Sequence, residues 1–135
     1  MARWLSTVAV LLALPGGACN STTTTNASCD YRPTRNQCSD FAGLTTVGPL
    51  SPPTRGDTGA VLDSACSAGG GRAVNVCDRA GSLGGCRGET AVPNAVGTSD
   101  TGVQTTWFYA NSMITTTADV ASICGTTSGT TYVSP

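Results

Sequence analysis

The stretch "GVQTTWFYAN" (Gly102–Asn111) decides the fold of this chain. Val103, Thr105, Trp107 and Tyr109 alternate with Gln104, Thr106 and Phe108, and β-branched and aromatic residues dominate. This is the period-two pattern of a strand with two distinct faces. Adjacent side chains of a strand point to opposite sides, so Phe108 faces away from Trp107 and Tyr109. If one side is exposed, Trp107, Phe108 and Tyr109 form a candidate binding surface for a glycan or a partner protein. The simpler reading packs one side under helices and the other under a loop.

Outward from this strand, "SLGGCRG" (Ser82–Gly88) reads as its hairpin partner, with "NAVGTSDTG" as the connecting loop. "NQCSDFAG" (Asn36–Gly43) is a further strand, and the Pro- and Gly-rich "LTTVGPLSPPTRGDTG" is a loop leading to the first helix. Two stretches resemble copies of one unit: "AVLDSACSAGGGRAVNV" (Ala60–Val76) and "ADVASICGTTSGTTYV" (Ala118–Val133). Superposing Cys66 on Cys124 also matches Ala60 with Ala118, Ser64 with Ser122 and Gly71 with Gly129. Each reads as two turns of helix behind a capping residue, Asp57 or Thr58 in one and Thr116 or Thr117 in the other. Gly69 and Gly125 are the expected helix stops, and a short strand follows each, Arg72–Cys77 or Thr130–Ser134. The fold class is α+β: a small antiparallel sheet of four to five strands with two short helices and an internal pseudo-repeat.

Aromatic residues are few, so a chain of this size needs covalent support for its core. Seven cysteines stand at 19, 29, 38, 66, 77, 86 and 124, an odd number. Setting Cys19 apart leaves six for three disulfides. The pseudo-symmetry suggests that each helix cysteine joins the strand before it, Cys38 with Cys66 and Cys86 with Cys124, which leaves Cys29 with Cys77. Zinc is disfavoured because the chain has no His and no Cys-x-x-Cys pair.

Residues 1–18 read as a signal peptide: Arg3, an apolar run from Trp4 to Leu14, then Pro15-Gly16-Gly17-Ala18. The run is shorter than the roughly 20 residues a membrane-spanning helix needs. Cys19 sits where a lipoprotein would be cleaved and acylated, although Gly16 stands where a lipobox has Leu. Ordinary cleavage after Ala18, which leaves Cys19 as a free or intermolecular thiol, fits the same residues. "NSTTTTNAS" (Asn20–Ser28) reads as a flexible polar tether, giving a domain plan of 1–18 signal, 19–28 tether and 29–135 a single disulfide-rich domain.

The series "CDYRPTRNQCSDF", "ACSAGGG", "VNVCDRAGSLGGCRG", "TTWFYA" and "ADVASICGTTSGTTYV" resembles small cysteine-rich lipoproteins and secreted proteins of GC-rich bacteria such as myxobacteria. The resemblance covers most of the chain beyond residue 28. It rests on cysteines and glycines, and it implies an exported domain without carrying over any catalytic residue.

Beyond residue 18 the chain has six Arg, seven Asp, one Glu and neither Lys nor His, a formal charge of about −2. No nucleic-acid partner is expected from such a balance. Without His or Lys, no Ser-His-Asp or Cys-His constellation can form. A hydrolase would have to use two of Asp30, Asp40, Asp57, Asp63, Asp78, Glu89, Asp100 and Asp119, residues that read mainly as caps and turns. "SAGGGR" and "GSLGGCRG" lack the Lys-Ser/Thr of a phosphate loop. No metal or cofactor is expected. The leading expectation is a non-catalytic exported domain with a binding or structural role, membrane-anchored through Cys19. The alternative is a secreted protease inhibitor presenting "VGPLSPPTRG", with Pro52, Pro53 and Arg55 as its stiff contact segment.

Overall fold

The computed structural model describes residues 20–49, 56–93 and 99–135. It is α+β, with a six-stranded antiparallel sheet, three short helices and three disulfides. The strands are β1 (Asn20–Asp30), β2 (Gln37–Pro49), β3 (Arg72–Val74), β4 (Ser82–Pro93), β5 (Ser99–Tyr109) and β6 (Thr130–Val133). The helices are α1 (Arg32–Arg35), α2 (Gly56–Ala68) and α3 (Thr117–Thr126). Their order across the sheet is β3-β1-β2-β5-β4-β6.

The extra strand is β1, and it corrects the reading of residues 20–28 as a tether. This stretch pairs with β2 from Asn20↔Pro49 to Asp30↔Cys38. Threonine is a poor core residue, but its branched Cβ suits a pleated strand, and Thr25 is buried opposite Leu44. The hairpins are also longer than expected. β2 continues through Leu44 to Pro49, and β4 pairs with β5 as far as Pro93↔Ser99. What remains of the expected inhibitor loop, residues 50–55, lies outside the described residues, as do the signal segment and Cys19.

The disulfides are Cys29–Cys66, Cys38–Cys77 and Cys86–Cys124. The last is the pairing expected; in the other two, Cys29 and Cys38 exchange the expected partners. The reason is strand parity. Cys29 lies opposite Ser39 and Cys38 lies opposite Asp30, so the two cysteines project from opposite faces of the sheet. Cys29 shares the helix-bearing face with α2 and reaches Cys66. Cys38 projects to the other face, where the segment after β3 brings Cys77.

Two apolar clusters sit on these two faces. Phe108 joins Cys86, Val120 and Cys124 under α3, while Trp107 joins Cys38 and Cys77 on the reverse side. α3 starts at a capping box in which Thr116 and Asp119 satisfy each other's backbone N–H. It runs through Gly125, the expected stop, and the turn that follows is made by Gly129 at φ 77°. α2 ends at Ala68, just before the expected Gly69, and Gly70 takes the same φ of 77°. A left-handed turn of this kind favours glycine.

The two halves share one plan. β1-β2-α2-β3 and β4-β5-α3-β6 are each a hairpin, a helix and a short strand that returns to the outer edge of the hairpin. Each helix is stapled to the first strand of its own hairpin. The register makes the correspondence residue by residue. Cys29 faces Ser39 and Ala73, while Cys86 faces Thr106 and Tyr132. Ser39 and Thr106 face each other across the central β2–β5 pair, flanked by Gln37↔Phe108 and Phe41↔Gln104. A two-fold rotation about the Ser39–Thr106 pair therefore exchanges Gln37 with Gln104 and Phe41 with Phe108.

Candidate functional site

The aromatic run is packed on both sides. Trp107 is 4% exposed, Phe108 is 7% exposed and Tyr109 is half-buried. They offer no open platform, which corrects the binding-surface reading of Trp107, Phe108 and Tyr109. Phe108 is covered by α3. Trp107 is covered by the segment linking β3 to β4, which crosses the reverse face.

That crossing is latched by a polar cluster centred on Asp40. Its carboxylate accepts hydrogen bonds from Trp107 Nε1 (2.8 Å), the Cys77 backbone N–H (2.9 Å) and Ser28 Oγ (2.6 Å). The Arg79 guanidinium lies 4.5 Å from the Trp107 ring centroid, and the Tyr109 hydroxyl donates to the Asp78 carbonyl. Burial pushes the Tyr109 phenol above its ordinary pKa, against the lowering effect of Arg32. The sheet permits this packing because position 85 is glycine: a Cβ there would meet Trp107 Cε3 at 3.0 Å.

A second carboxylate, Asp30, is buried and bound by the Arg32 side chain at 2.8 Å, with Arg72 at 3.9 Å. The hydrogen bonds from Arg32 hold Asp30 below the ordinary carboxylate range, despite the opposing cost of burial. Arg32 also reaches Asp78 at 3.5 Å and lies over the Tyr109 ring. Asp119 is held low by the N–H groups of Thr115 and Thr116 at the α3 cap. Thr58 donates its hydroxyl to buried Asp100. Five of the eight acids thus sit in ion pairs, caps or donor clusters that tie elements of the fold together. Among the described residues, no three His, Cys, Asp or Glu side chains gather as a metal site.

The helix-bearing face carries a different feature, one that sequence reasoning missed. A cavity of about 260 Å³ opens beside α3, lined by Gln37, Gly88, Gln104, Thr106, Phe108 and Thr130 among others. Gln104 Nε2 donates to Thr106 Oγ1 at 3.2 Å, and Thr106 Oγ1 lies 3.1 Å from Ser39 Oγ. Its counterpart in the first half is a void of only about 70 Å³, bordered by Cys29, Tyr31, Phe41 and Ala65. The recurring "Q-x-S/T-x-F" of Gln37–Phe41 and Gln104–Phe108 was the available signal. It lay hidden because the two strands stand at different distances from their helix cysteines. No protein-family model matches the chain, and no curated protein or solved structure is significantly similar to it.

Proposed function

We propose that this protein is an exported, non-catalytic binding domain of the cell envelope, anchored through an acylated Cys19. The observation that carries the reading is the cysteine count set against the pairing. Three disulfides use six of the seven cysteines, and the seventh, Cys19, follows the signal-like segment and directly precedes Asn20 in the sequence. Bridges of this kind persist in oxidising compartments outside the cytosol. The engagement of Asp30, Asp40, Asp78, Asp100 and Asp119 in structural contacts supports a binding role over acid–base chemistry.

Anchoring at Cys19 has a geometric consequence. β1 begins at Asn20, so the lipid would adjoin the folded sheet without a tether. Eleven residues of strand at about 3.3 Å each would then hold the Arg32–Asp78–Tyr109 end at most about 35 Å from the bilayer. The intact mass of the exported protein, before and after reduction, tests this reading. A start at Cys19 with added acyl mass, and a gain of six hydrogens on reduction, is the expected result. An unmodified Cys19 would overturn the anchor and leave a secreted protein with an odd thiol.

A further inference from the structure

The internal two-fold relation sets residues of the first half against the walls of the cavity beside α3. Counting two residues on from the strand cysteines, Tyr31 in the first half corresponds to Gly88 in the second. The register agrees: the Tyr31 backbone N–H donates to Gln37 O, and Gly88 pairs with Gln104. The Tyr31 ring lies against Gly71, where a Cβ would stand 2.7 Å from two ring carbons and 2.5 Å from Cys29 Sγ. Beyond the helices the register shifts the sequence match by one residue: Gly70, not Gly71, corresponds to Gly129, and the position of Gly71 is taken by Thr130, each lying three residues before the valine that faces Ser28 or Gly85.

Where the first half sets the Tyr31 ring against its disulfide, the second half has only Gly88 at the corresponding position. The void there measures about 260 Å³ against about 70 Å³. Four wall positions correspond: Cys29 with Cys86, Tyr31 with Gly88, Phe41 with Phe108, and Ala65 with Ile123. The floor is apolar, made by Phe108, Ile123 and the Cys86–Cys124 bridge. Its border is polar and able to take a hydroxyl, with the Gln37 and Gln104 amides and the hydroxyls of Thr106, Thr127 and Thr130. An apolar floor with a few convergent polar groups is the make-up of a small-ligand site.

We propose that this cavity binds a phenolic ring, the group that Tyr31 supplies at the equivalent place in the first half. The ring lies against Phe108 and the disulfide, and its hydroxyl meets the Gln and Thr side chains. The ring comes from a free small phenol or from a tyrosine side chain of a peptide. The site does not depend on how Cys19 is processed, so its failure and that of the envelope reading are separable.

The test is a titration of the oxidised exported protein, followed by amide NMR shifts, with p-cresol in one arm and N-acetyltyrosinamide in the other. Saturable shifts confined to Gly88, Thr127, Gly129 and Thr130 are expected. Saturation by p-cresol alone assigns a small phenol, and equal or tighter binding of N-acetyltyrosinamide assigns a tyrosine side chain. Ile123→Trp, which fills the cavity from α3, should abolish the saturable shifts while the remaining spectrum stays native. Should that variant misfold, the titration of the unaltered protein still decides. Absent, linear or scattered shifts in both arms would overturn the proposal.

Discussion

Replacing Asp40 with alanine probes the latch that holds the β3–β4 segment over Trp107. The carboxylate receives Trp107 Nε1 at 2.8 Å and the Cys77 N–H at 2.9 Å, and both residues are buried. Truncation leaves those two donors without their acceptor. Ser28 loses less, because its hydroxyl also lies 3.5 Å from Asn75 O. A hydrogen bond to a charged acceptor contributes about 1.5–3 kcal/mol, and partial exposure of Asp40 argues for the lower end. The expected loss is about 3 kcal/mol, or a fall in Tm of roughly 12 °C for a domain of this size. Asp40→Asn keeps one acceptor oxygen and the shape, so it should lose about half as much. Urea unfolding with the disulfides intact, read by far-UV circular dichroism, measures both. A loss below about 1 kcal/mol for Asp40→Ala would refute the latch, because the segment would then be held by Cys38–Cys77 and the Arg79, Tyr109 and Arg32 contacts without Asp40.

Further outcomes follow from the same geometry. Gly70 and Gly129 share a φ of 77°, and an added Cβ at either meets nothing closer than 3.4 Å. Alanine at each should therefore cost a similar amount, about 1–2 kcal/mol of left-handed strain, and a silent substitution at one would break the proposed equivalence of the halves. Because Arg32 holds Asp30 below its unfolded pKa, the pair stabilises the fold above about pH 4, and that stability is lost as pH falls through the lower folded value. Urea midpoints measured from pH 5 to pH 2 should fall less steeply in Asp30→Asn than in the parent protein, and parallel curves would contradict the assignment. Tyr31→Ala should open in the first half a space like that beside α3 and cost about 2 kcal/mol. Added p-cresol should restore part of the lost Tm, and no recovery at saturating p-cresol would count against the ring-shaped space.

The α+β class, the two longer helices and the split of Trp107 from Phe108 were legible because they rest on local periodicity and on apolar residues. β1 was not, because "NSTTTT" contains no apolar residue: its strand character comes from pairing with β2, a long-range contact that composition does not report. The Cys29 and Cys38 partners are hidden in the sequence for a related reason. Pseudo-symmetry located the helix cysteines, but which face a strand cysteine occupies depends on register, and Cys29 is offset by one from the residue opposite Cys38. The cavity depended on a comparison the sequence does not invite. Tyr31 and Gly88 have nothing in common as residues, and only the register of the two hairpins places them at equivalent positions.

The fold is two equivalent halves, each with its helix stapled to the first strand of its hairpin, and the disulfide map of the oxidised protein tests it most directly. The chain has no Lys, and Arg35, Arg55, Arg72, Arg79 and Arg87 separate the six paired cysteines onto six different tryptic peptides. Mass analysis of an unreduced digest in denaturant therefore reads the connectivity without ambiguity. The expected map joins the peptide of Cys29 to 56–72, that of Cys38 to 73–79, and 80–87 to 88–135. A Cys38–Cys66 linkage, or free thiols at Cys86 and Cys124, would contradict it.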